Sequence, residues 1–462
     1  MAVTETDLDL TQHRVRPASW AFDTIGNLFD IRQGKSLAHH KQTGKQRKKF
    51  LRTANVLWGR LTLSELDEMD FSPSECEALA LRTGDLLVCE GGDIGRTAVW
   101  RDELPDCYYQ NHLHRLRAKD GRIDPQFVMF WMQAAITQLR VYEGFGNKTT
   151  IPNLSRSRLA EFVIPVPEKS EQQKIAAVLW KIQKSVENED AIARNARDLK
   201  KSILRRLFTH GLRGEPLKET EIGLVPQSWE VVPLGEIARI GNGSTPKRDN
   251  TAYWHNGTIP WLTSAKVYDG VIKHADEFIT DVAIRECHLP TVKPGSLLIA
   301  ITGQGKTLGN AAITAIETTI SQHLAFAQFN RTDVESNFIR FFFDGQYEYL
   351  RQVASGGGST KGALTCGFLK SFPVPLATPD DQREIANILQ TLDRKIDIHE
   401  SKKRSLQDLF KTMLHKLMTA QIRVNDLEID TSEIENVRSL KQKKETAYAK
   451  RNEQPHDPGA SD

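Results

Sequence analysis

The segment IPVPEKSEQQKIA, residues 164–176, recurs in diverged form as PVPLATPDDQREIA, residues 373–386. Each segment joins a β-type run containing Pro-Val-Pro to a long stretch with apolar residues at every third or fourth position. Proline fixes an extended backbone and disfavours helix in the residue before it, so the strand cannot run straight into the helix. The same junction, from a globular domain to a long helix, is therefore predicted twice in one chain.

The similarity extends outward from these segments over almost the whole of each copy. Residues about 16–211 recur as residues about 225–421, at a nearly constant offset of 209 to 211 positions. The matched pairs include Trp20 and Trp229, Gly26 and Gly235, Gly34 and Gly243, Gly84 and Gly295, His112 and His323, Phe127 and Phe338, Gln172 and Gln382, and Leu207 and Leu417. This internal duplication predicts two similar domains, related by a pseudo-twofold axis, and two similar helices.

Each copy begins with about 150 residues in which short β-type runs alternate with helical patterns. We therefore predict a mixed α/β class for both domains. The predicted order is an N-terminal tail (1–15), a first α/β domain (16–167), a central spacer helix (168–211), a linker (212–225), a second α/β domain (226–377), a distal spacer helix (378–422) and a charged, disordered tail (423–462).

The two long helices carry narrow apolar stripes with alternating spacings of four and three residues, which is typical of a coiled-coil seam. Because the first helix must lead to the second domain, we expect the second helix to pair with it in antiparallel orientation, forming a rod of roughly 60 Å. The predicted seam residues are Ile175, Leu179, Ile182, Val186, Leu199, Ile203 and Leu207 in the first helix, and Ile385, Leu389, Leu392, Ile396, Phe410, Met413 and Leu417 in the second.

The composition is that of an ordinary soluble protein of 462 residues, with 39% hydrophobic and 26% charged residues and no apolar run long enough to span a membrane. Five scattered cysteines without a Cys-x-x-Cys pair argue against a disulfide framework and structural zinc, and suggest a reducing cytoplasm. The net charge of +3 excludes a uniformly cationic surface. However, residues 32–60 hold nine Lys or Arg and no Asp or Glu, which favours an anionic partner over a merely solvated loop.

Motifs for catalysis are largely absent. Residues 300–307 match a relaxed phosphate-binding loop, but the equivalent residues 90–97 lack the Lys-Thr pair, and residues 309–313 have the pattern of a return strand. A glycine-rich strand-turn-strand is therefore favoured, with a phosphate-loop ATPase as the alternative. We find no methyltransferase tetrad, methyl-donor fingerprint or nuclease carboxylate cluster, and we interpret His112 and His323 as structural hydrogen-bonding residues. No catalytic residue, no metal ligand and no enzymatic activity are predicted.

Taken together, the Trp-x₄-Ile/Leu-Gly motifs (20–26 and 229–235), the Gly-Asp/Ser-Leu-Leu motifs (84–87 and 295–298) and the two closing segments resemble the DNA-specificity subunit of type I restriction–modification systems, up to about residue 422. The second copy has Asp381 where that family tends to have Glu. The resemblance implies that the two α/β domains are target-recognition domains 1 (16–167) and 2 (226–377). Each would read one half of a split site in double-stranded DNA, and the paired helices would set the gap between the halves.

The resemblance also implies partners and a location. Two methyltransferase (modification) subunits and the restriction/translocase subunits would dock on the chain in a bacterial or archaeal cytoplasm. S-adenosylmethionine, ATP and Mg would be bound by those partners and not by this chain. A coiled-coil scaffold joining two protein-binding domains is the alternative function, although it leaves the acid-free basic segment unexplained.

Basic and polar residues in predicted loops are the candidates for DNA contact, because Lys and Arg contact phosphates while amide, hydroxyl and guanidinium groups read base edges. They are Lys45, Arg47, Lys48, Lys49, Arg52, Lys148, Thr149, Thr150 and Asn153 in the first domain, and Lys247, Arg248, Lys266, Lys306, Ser359, Thr360 and Lys361 in the second.

Overall fold

The computed structural model describes residues 20–36, 44, 46–140, 153–303, 305–356 and 363–432. The chain divides into two compact units: unit 1 comprises the residues up to Asn188 together with those from Lys402 onward, and unit 2 comprises Glu189–Ser401. Each unit thus contains one copy of the α/β domain, part of its own long helix and part of the long helix of the other copy.

Unit 1 is built on a four-stranded antiparallel sheet in the order β2-β10-β7-β8, with a three-stranded sheet β6-β3-β9 and the pair β1-β11. Its strands are β1 (Ala21–Thr24), β2 (Phe29–Gln33), β3 (Arg47–Leu51), β4 (Val56–Leu57), β5 (Arg60–Leu61), β6 (Asp67–Asp70), β7 (Leu86–Cys89), β8 (Thr97–Val99), β9 (Tyr108–Tyr109), β10 (Leu113–Ala118) and β11 (Val163–Val166). Its helices are α1 (Ile25–Leu28), α2 (Pro73–Leu79), α3 (Pro125–Thr137), α4 (Arg156–Glu161) and the first part of α5 (Lys169–His210).

Strand β7 lies between two cores, because successive side chains of a strand point to opposite faces. Leu86 and Val88 pack with α3 and the end regions of the long helices, while Leu87 and Cys89 pack with the smaller sheet. All four side chains are buried. The continuous apolar run of β7 is thus the pattern of a strand covered on both faces.

Unit 2 repeats this plan with the sheets β15-β22-β19-β20-β17 and β18-β16-β21 and the pair β14-β23. Its strands are β12 (Leu217–Thr220), β13 (Gly223–Pro226), β14 (Glu230–Pro233), β15 (Ala238–Asn242), β16 (Ile259–Leu262), β17 (Val271–Ile272), β18 (Glu277–Ile279), β19 (Leu297–Ala300), β20 (Ala311–Thr314), β21 (Thr319–Ile320), β22 (Leu324–Phe329) and β23 (Pro373–Leu376). Its helices are α6 (Leu234–Ile237), α7 (Thr251–Trp254), α8 (Asp281–Cys287), α9 (Ser336–Gly345), α10 (Tyr347–Gly356), α11 (Cys366–Ser371) and the first part of α12 (Pro379–Met418). The predicted mixed α/β class with two long helices is confirmed.

Two details of the duplication differ from the sequence-based interpretation. The segment interpreted as a linker contains a hairpin, in which Leu217 of β12 pairs with Pro226 of β13. The two Pro-Val-Pro motifs are also not equivalent in space: Pro165 lies opposite Phe22, and its counterpart opposite Val231 is Pro375. The motifs are therefore offset by two residues, because the strand register is fixed by pairing with β1 and β14.

A buried glutamine fastens the start of each long helix to its domain. The Gln172 amide oxygen accepts from the backbone N–H of Asp124 (2.7 Å), and its nitrogen donates to the carbonyls of Arg122 (2.9 Å) and Pro167 (2.8 Å). In unit 2 Gln382 accepts from Glu335 (2.9 Å) and donates to the carbonyls of Asp333 (3.0 Å) and Ala377 (2.8 Å). Both side chains are fully buried. The recurring Gln of the closing segment is thus explained by three hydrogen bonds to backbone groups.

The long helices run antiparallel within each unit. In unit 2, Glu189 of α5 contacts His399 of α12 (2.6 Å) and Lys200 contacts Asp393 (2.6 Å). The first turns of α5 in unit 1 share a core with the end of α12, including Ile175, Leu179, Leu414 and Leu417. The ends of the predicted stripes therefore pack into the domain cores as well as along the helix pair.

One predicted seam residue is wrong. Leu199 is 51% exposed, whereas Ala193 and Ala196 are buried. The alternating spacing of four and three residues continues through these two alanines. The polar residues Glu189 and Lys200 occupy the remaining seam positions in this part of α5. The positions are 175, 179, 182, 186, 189, 193, 196, 200, 203 and 207 in α5, and 385, 389, 392, 396, 399, 403, 406, 410, 413 and 417 in α12, all buried or partly buried.

The prediction of a disordered tail from residue 423 onward is wrong for residues 423–432. Arg423 donates to the Glu171 carboxylate (2.6 and 3.0 Å), which also accepts from the Trp20 indole (3.0 Å), and Val424 is 2% exposed. Residues 423–432 thus belong to unit 1, while residues 433–462 lie outside the described part of the chain. None of the described helices has the length and apolar character needed to cross a membrane.

Candidate nucleic-acid interface

In unit 1 several loops meet at one edge of the four-stranded sheet, which we call the unit 1 edge. Strand β10 begins there while β2 and β7, both antiparallel to it, end there. Gln33 donates to the Glu90 carboxylate (2.9 Å) and to the carbonyl of Asn111 (2.8 Å). The backbone N–H of Leu154 donates to the Glu90 carbonyl (2.8 Å), so the chain returns to this edge next to Asn153. Lys45, Lys148, Thr149 and Thr150 lie outside the described residues.

The unit 2 edge is equivalent but carries different side chains. Thr245 donates to the amide oxygen of Gln322, the Gln322 nitrogen lies 3.3 Å from His323 Nε2, and His323 Nδ1 is hydrogen-bonded to Thr302. The backbone of Leu364 donates to the carbonyl of Ile301 (2.8 Å), so the chain returns to this edge as it does in unit 1. Ser359, Thr360 and Lys361 lie outside the described residues.

A repeated glycine sets the path of the chain at both edges. A Cβ atom at Gly34 would lie 2.3 Å from the Gln110 carbonyl oxygen, and one at Gly243 would lie 1.8 Å from that of Ile320. Both distances are far below van der Waals contact. Only glycine therefore lets the segment after β2 or β15 pass close enough to β9 or β21 to hold the loops of the edge in place.

The basic side chains of strand β3 are exposed or partly exposed, but most of them form ion pairs with acidic side chains. Strand β6, paired with β3, supplies Glu68 to Arg47 (3.6 Å) and Asp67 to Arg52 (2.9 Å). Asp106 contacts Lys48 (3.0 Å), and this hydrogen bond raises the pKa of the lysine. The exposed Lys49 forms no ion pair within the described part of the chain. Four of the nine cations in the charge run that favoured an anionic partner are thus paired with acids that are distant in sequence, namely Lys35, Arg47, Lys48 and Arg52.

The candidate cations of unit 2 differ in accessibility. Arg248 lies 4.0 Å from the ring centre of Trp254 and 4.9 Å from that of Trp261, and it pairs with Glu277. Lys247 and Lys306 are exposed. Lys266 is only 8% exposed and contacts Asp269 (2.9 Å) and Asp276 (3.5 Å), which raise its pKa. We therefore leave Lys266 out of the candidate surface.

The described residues of the glycine-rich segment 300–307 lie between two antiparallel strands, β19 and β20. Strand β20 returns alongside β19, and the side-chain amide of Asn310 donates to the carbonyls of Lys306 (2.6 Å) and Thr307 (3.0 Å). A phosphate-binding loop instead leads into a helix whose N-terminus faces the phosphate. The predicted strand-turn-strand is therefore confirmed, and the phosphate-loop alternative is wrong.

Sequence reasoning missed the amides at the two edges. Asn111 and Gln322 occupy equivalent positions, each directly before the histidine of the matched pair. His323 has the structural hydrogen bond that was expected, whereas His112 is exposed and its side chain has no hydrogen-bond partner in the described residues. The repeated amide-His dipeptide, at an offset of 211, is the signal that could have identified both positions.

The remaining chemistry of the described residues is limited. No group of three or more His, Cys, Asp or Glu side chains in that part of the chain could hold a metal ion. All five cysteines are described and none forms a disulfide. Burial raises the pKa of the Cys89 thiol to about 11. Cys89 and Cys107 are buried, while Cys76, Cys287 and Cys366 are partly exposed.

Comparison with known proteins identifies the family. The family model for the type I restriction modification DNA specificity domain matches residues 17–195 and 226–408. The putative type I restriction enzyme MjaX specificity subunit of Methanocaldococcus jannaschii is 23% identical over 421 residues, covering 88% of this chain and 95% of the relative. The EcoR124I/EcoR124II specificity subunit of Escherichia coli is 21% identical over 276 residues, covering 59% of this chain and 64% of the relative.

Solved structures share the fold. The S subunit of a type I restriction–modification system from M. genitalium superimposes with a TM-score of 0.56 at 18% identity, covering 87% of this chain and 96% of that one. A chain from a structure of type I restriction–modification complex assembly gives a TM-score of 0.52 at 17% identity, covering 87% and 98%. Since both copies of the repeat match the family model, the chain belongs to the family of type I restriction–modification DNA-specificity subunits.

Proposed function

We propose that this chain is the non-catalytic subunit that gives a type I restriction–modification complex its DNA specificity. The α/β domain of each unit binds one half of a bipartite duplex target, through the unit 1 edge and the unit 2 edge. The observation that carries this proposal is the pair of equivalent sheet edges with different polar groups. Equivalent positions allow the same mode of docking, while different hydrogen-bonding groups allow different half-sites to be read.

The charged residues divide into two classes on this proposal. Exposed lysines such as Lys49, Lys247 and Lys306 are available to contact phosphates. Other cations already form ion pairs and would have to exchange a carboxylate for a DNA phosphate, so each would contribute less to the affinity for DNA than an unpaired lysine. They are Arg47, Lys48, Arg52 and Arg248. The near-zero net charge fits this view, since binding would rest on a few placed cations rather than on a cationic coat.

The proposed partners supply the chemistry. Two methyltransferase subunits dock on the chain and bind S-adenosylmethionine, and restriction/translocase subunits bind ATP and Mg. The chain itself binds no cofactor and acts in the cytoplasm. The family membership supports this assignment.

The experiment uses the full chain co-expressed with its methyltransferase partners. Mapping the methylated bases in cellular DNA defines the target, and labelled duplexes with both, one or neither half-site are then titrated with the purified complex at moderate salt. We expect loss of either half-site to reduce affinity to the non-specific level. Equal binding of all duplexes would overturn the proposal, and assembly of the complex without any DNA preference would favour the scaffold alternative.

A matched pair of lysine variants tests the position of the interface. Lys306 follows β19 at the unit 2 edge, and the exposed Lys293 precedes the same strand at its opposite end. Loss of one phosphate contact lowers the slope of log affinity against log salt by about one. We expect this change in Lys306→Ala, equally for all DNA sequences, and none in Lys293→Ala. The reverse result would place the interface at the other end of the sheet.

A further inference from the structure

Four polar side chains of the unit 2 edge form one continuous chain of hydrogen bonds. It runs from Thr245 through Gln322 and His323 to Thr302. Thr245 and Thr302 are partly buried, whereas Gln322 and His323 are exposed. The glutamine is therefore presented to the outside of the protein with its amide held from behind.

The chain of hydrogen bonds holds the amide of Gln322 at both of its ends. The Thr245 hydroxyl donates to Gln322 Oε1, so the other end of the amide is the nitrogen, which donates to His323 Nε2 (3.3 Å). Because Nε2 accepts, the proton of the neutral imidazole lies on Nδ1, which donates to Thr302 Oγ1. Each of the two polar atoms of the amide thus makes one hydrogen bond within the chain, which restrains the plane of the amide.

The amide keeps one unused acceptor and one unused donor side by side. An amide oxygen accepts two hydrogen bonds and an amide nitrogen donates two, and the chain occupies one of each. In the major groove adenine presents an N6 donor beside an N7 acceptor, which is the complementary pattern. Guanine presents two acceptors there, one of which would face the amide oxygen without a proton between them.

From this geometry we propose that Gln322 reads an adenine in the half-site bound by unit 2, and that Thr245, His323 and Thr302 are positioning residues that orient its amide. The inference rests on the proposed function and deepens it by naming a base-reading residue. Lys247 lies two residues after Thr245, and Lys306 lies four residues after Thr302. Both lysines are exposed, so phosphate contacts are available on the same loops to place the amide against the base.

Unit 1 offers an internal comparison. Asn111 is the equivalent amide, and its backbone is held by Lys35 (2.9 Å) and Gln33 (2.8 Å). Its side chain has no hydrogen-bond partner within the described part of the chain, and Glu90 lies at the same edge. An amide at the same position but without the supporting chain should read a different base, or read it less strictly, in the other half-site.

The test measures methylation by the full complex on duplex pools randomised at one target position at a time. We expect Gln322→Ala to reduce discrimination about tenfold to a hundredfold at one adenine of one half-site, with all other positions unchanged. Gln322→Glu, which has only acceptors when ionised, should shift the preference at that position towards cytosine, whose N4 amino group is a donor. Asn111→Ala should affect only the other half-site.

Positioning variants and controls separate this proposal from a general loss of binding. His323→Phe and Thr302→Val free the amide to rotate, so they should weaken the preference for adenine over guanine, but by less than Gln322→Ala does. Lys306→Ala should instead weaken all sequences equally. If Gln322→Ala leaves the target unchanged, or weakens all sequences equally, the inference is wrong. A bipartite target retained by the parent complex would still uphold the proposed function in that case.

Discussion

Four charged side chains hold the helix–domain junction of unit 2, whereas the four equivalent positions of unit 1 are uncharged. In unit 2, Lys200 of α5 contacts Asp393 (2.6 Å) and Asp344 (3.4 Å). Arg340 of α9 contacts the same two carboxylates at 3.0 and 3.3 Å, and its guanidinium lies 3.9 Å from the ring centre of Phe341. We call these four residues the charged quartet.

The equivalent positions of unit 1, at offsets of 210 or 211 residues, are Phe410, Met129, Gln133 and Gln183. Met129 is fully buried, and the ring of Phe410 packs against Phe130 at 6.0 Å between centres. Each junction is thus matched to the helix that enters it. A helix bringing Phe410 to the quartet would leave Asp344 and Asp393 with Arg340 alone, so the difference specifies which helix segment packs in which unit.

Removing Arg340 should lower the stability of unit 2 more than any other change considered below. In Arg340→Met the two carboxylates keep only Lys200 as a partner, although their side chains are 26% and 29% exposed. Breaking a buried ion pair from one side costs about 3–5 kcal/mol, and we expect the lower end of that range because of this partial exposure. Denaturant unfolding and hydrogen exchange of the α9 amides measure the loss. Met129→Leu at the equivalent position should cost less than about 1.5 kcal/mol.

The sign of the pH dependence provides a second measurement on the same variant. Burial raises the pKa of Asp344, and Arg340 and Lys200 oppose that rise. Without Arg340 the pKa of Asp344 should rise further above its unfolded value, so the folded state binds a proton that the unfolded state releases. Stability should therefore increase as the pH falls from neutrality towards the unfolded carboxyl pKa. A loss of stability over this range greater than that of the parent chain would contradict the account.

Replacing the whole quartet by its unit 1 equivalents tests the specificity argument directly. The variant Lys200→Phe, Arg340→Met, Asp344→Gln, Asp393→Gln leaves no unpaired charge, and such replacements of ion pairs are often neutral or stabilising. We expect its stability to lie within about 2 kcal/mol of the parent. A fourfold variant as unstable as Arg340→Met would show that the charges are needed for stability and not for choosing the helix.

Substitution of the buried glutamines, Gln172 and Gln382, should lower the stability of the two units by similar amounts. Gln172→Leu and Gln382→Leu each leave one backbone N–H and two carbonyls without their partner. Because an unsatisfied buried polar group costs about 1–3 kcal/mol, we expect a loss of about 2–4 kcal/mol in either unit. Hydrogen exchange at the first turns of α5 and α12 localises the effect. A loss confined to one unit would show that the repeated geometry does not carry equal free energy.

The sequence was sufficient for features that are recorded locally along the chain. The constant offset of the repeat revealed the duplication, short apolar runs such as β7 predicted strands, and the four-three spacing predicted the long helices. The strand and helix patterns depend on residues close together in sequence, so the tertiary structure changes them little.

Features that depend on distant partners were not predicted. The acids that balance β3 come from β6 and from Asp106, so a charge count over residues 32–60 could not include them. Arg423 looked like the start of a charged tail because its partner, Glu171, is 252 residues away. Similarly, the polar chain at the unit 2 edge joins residues from three separate loops.

The assignment of Leu199 to the seam is a smaller error, and its test involves the smallest expected change in the free energy of unfolding. Leu199 was assigned to the seam because its side chain is large and apolar. However, Leu199 is 51% exposed while Ala196 is 7% exposed, so the alanine belongs to the seam and the leucine does not. Leu199→Ala should therefore change the free energy of unfolding by no more than about 0.5 kcal/mol. Ala196→Leu, three residues earlier, should cost about 1–3 kcal/mol because the added atoms overpack a closely approached helix pair. Thermal unfolding followed by circular dichroism at 222 nm distinguishes the two registers, since a seam through Leu199 requires the opposite order of effects.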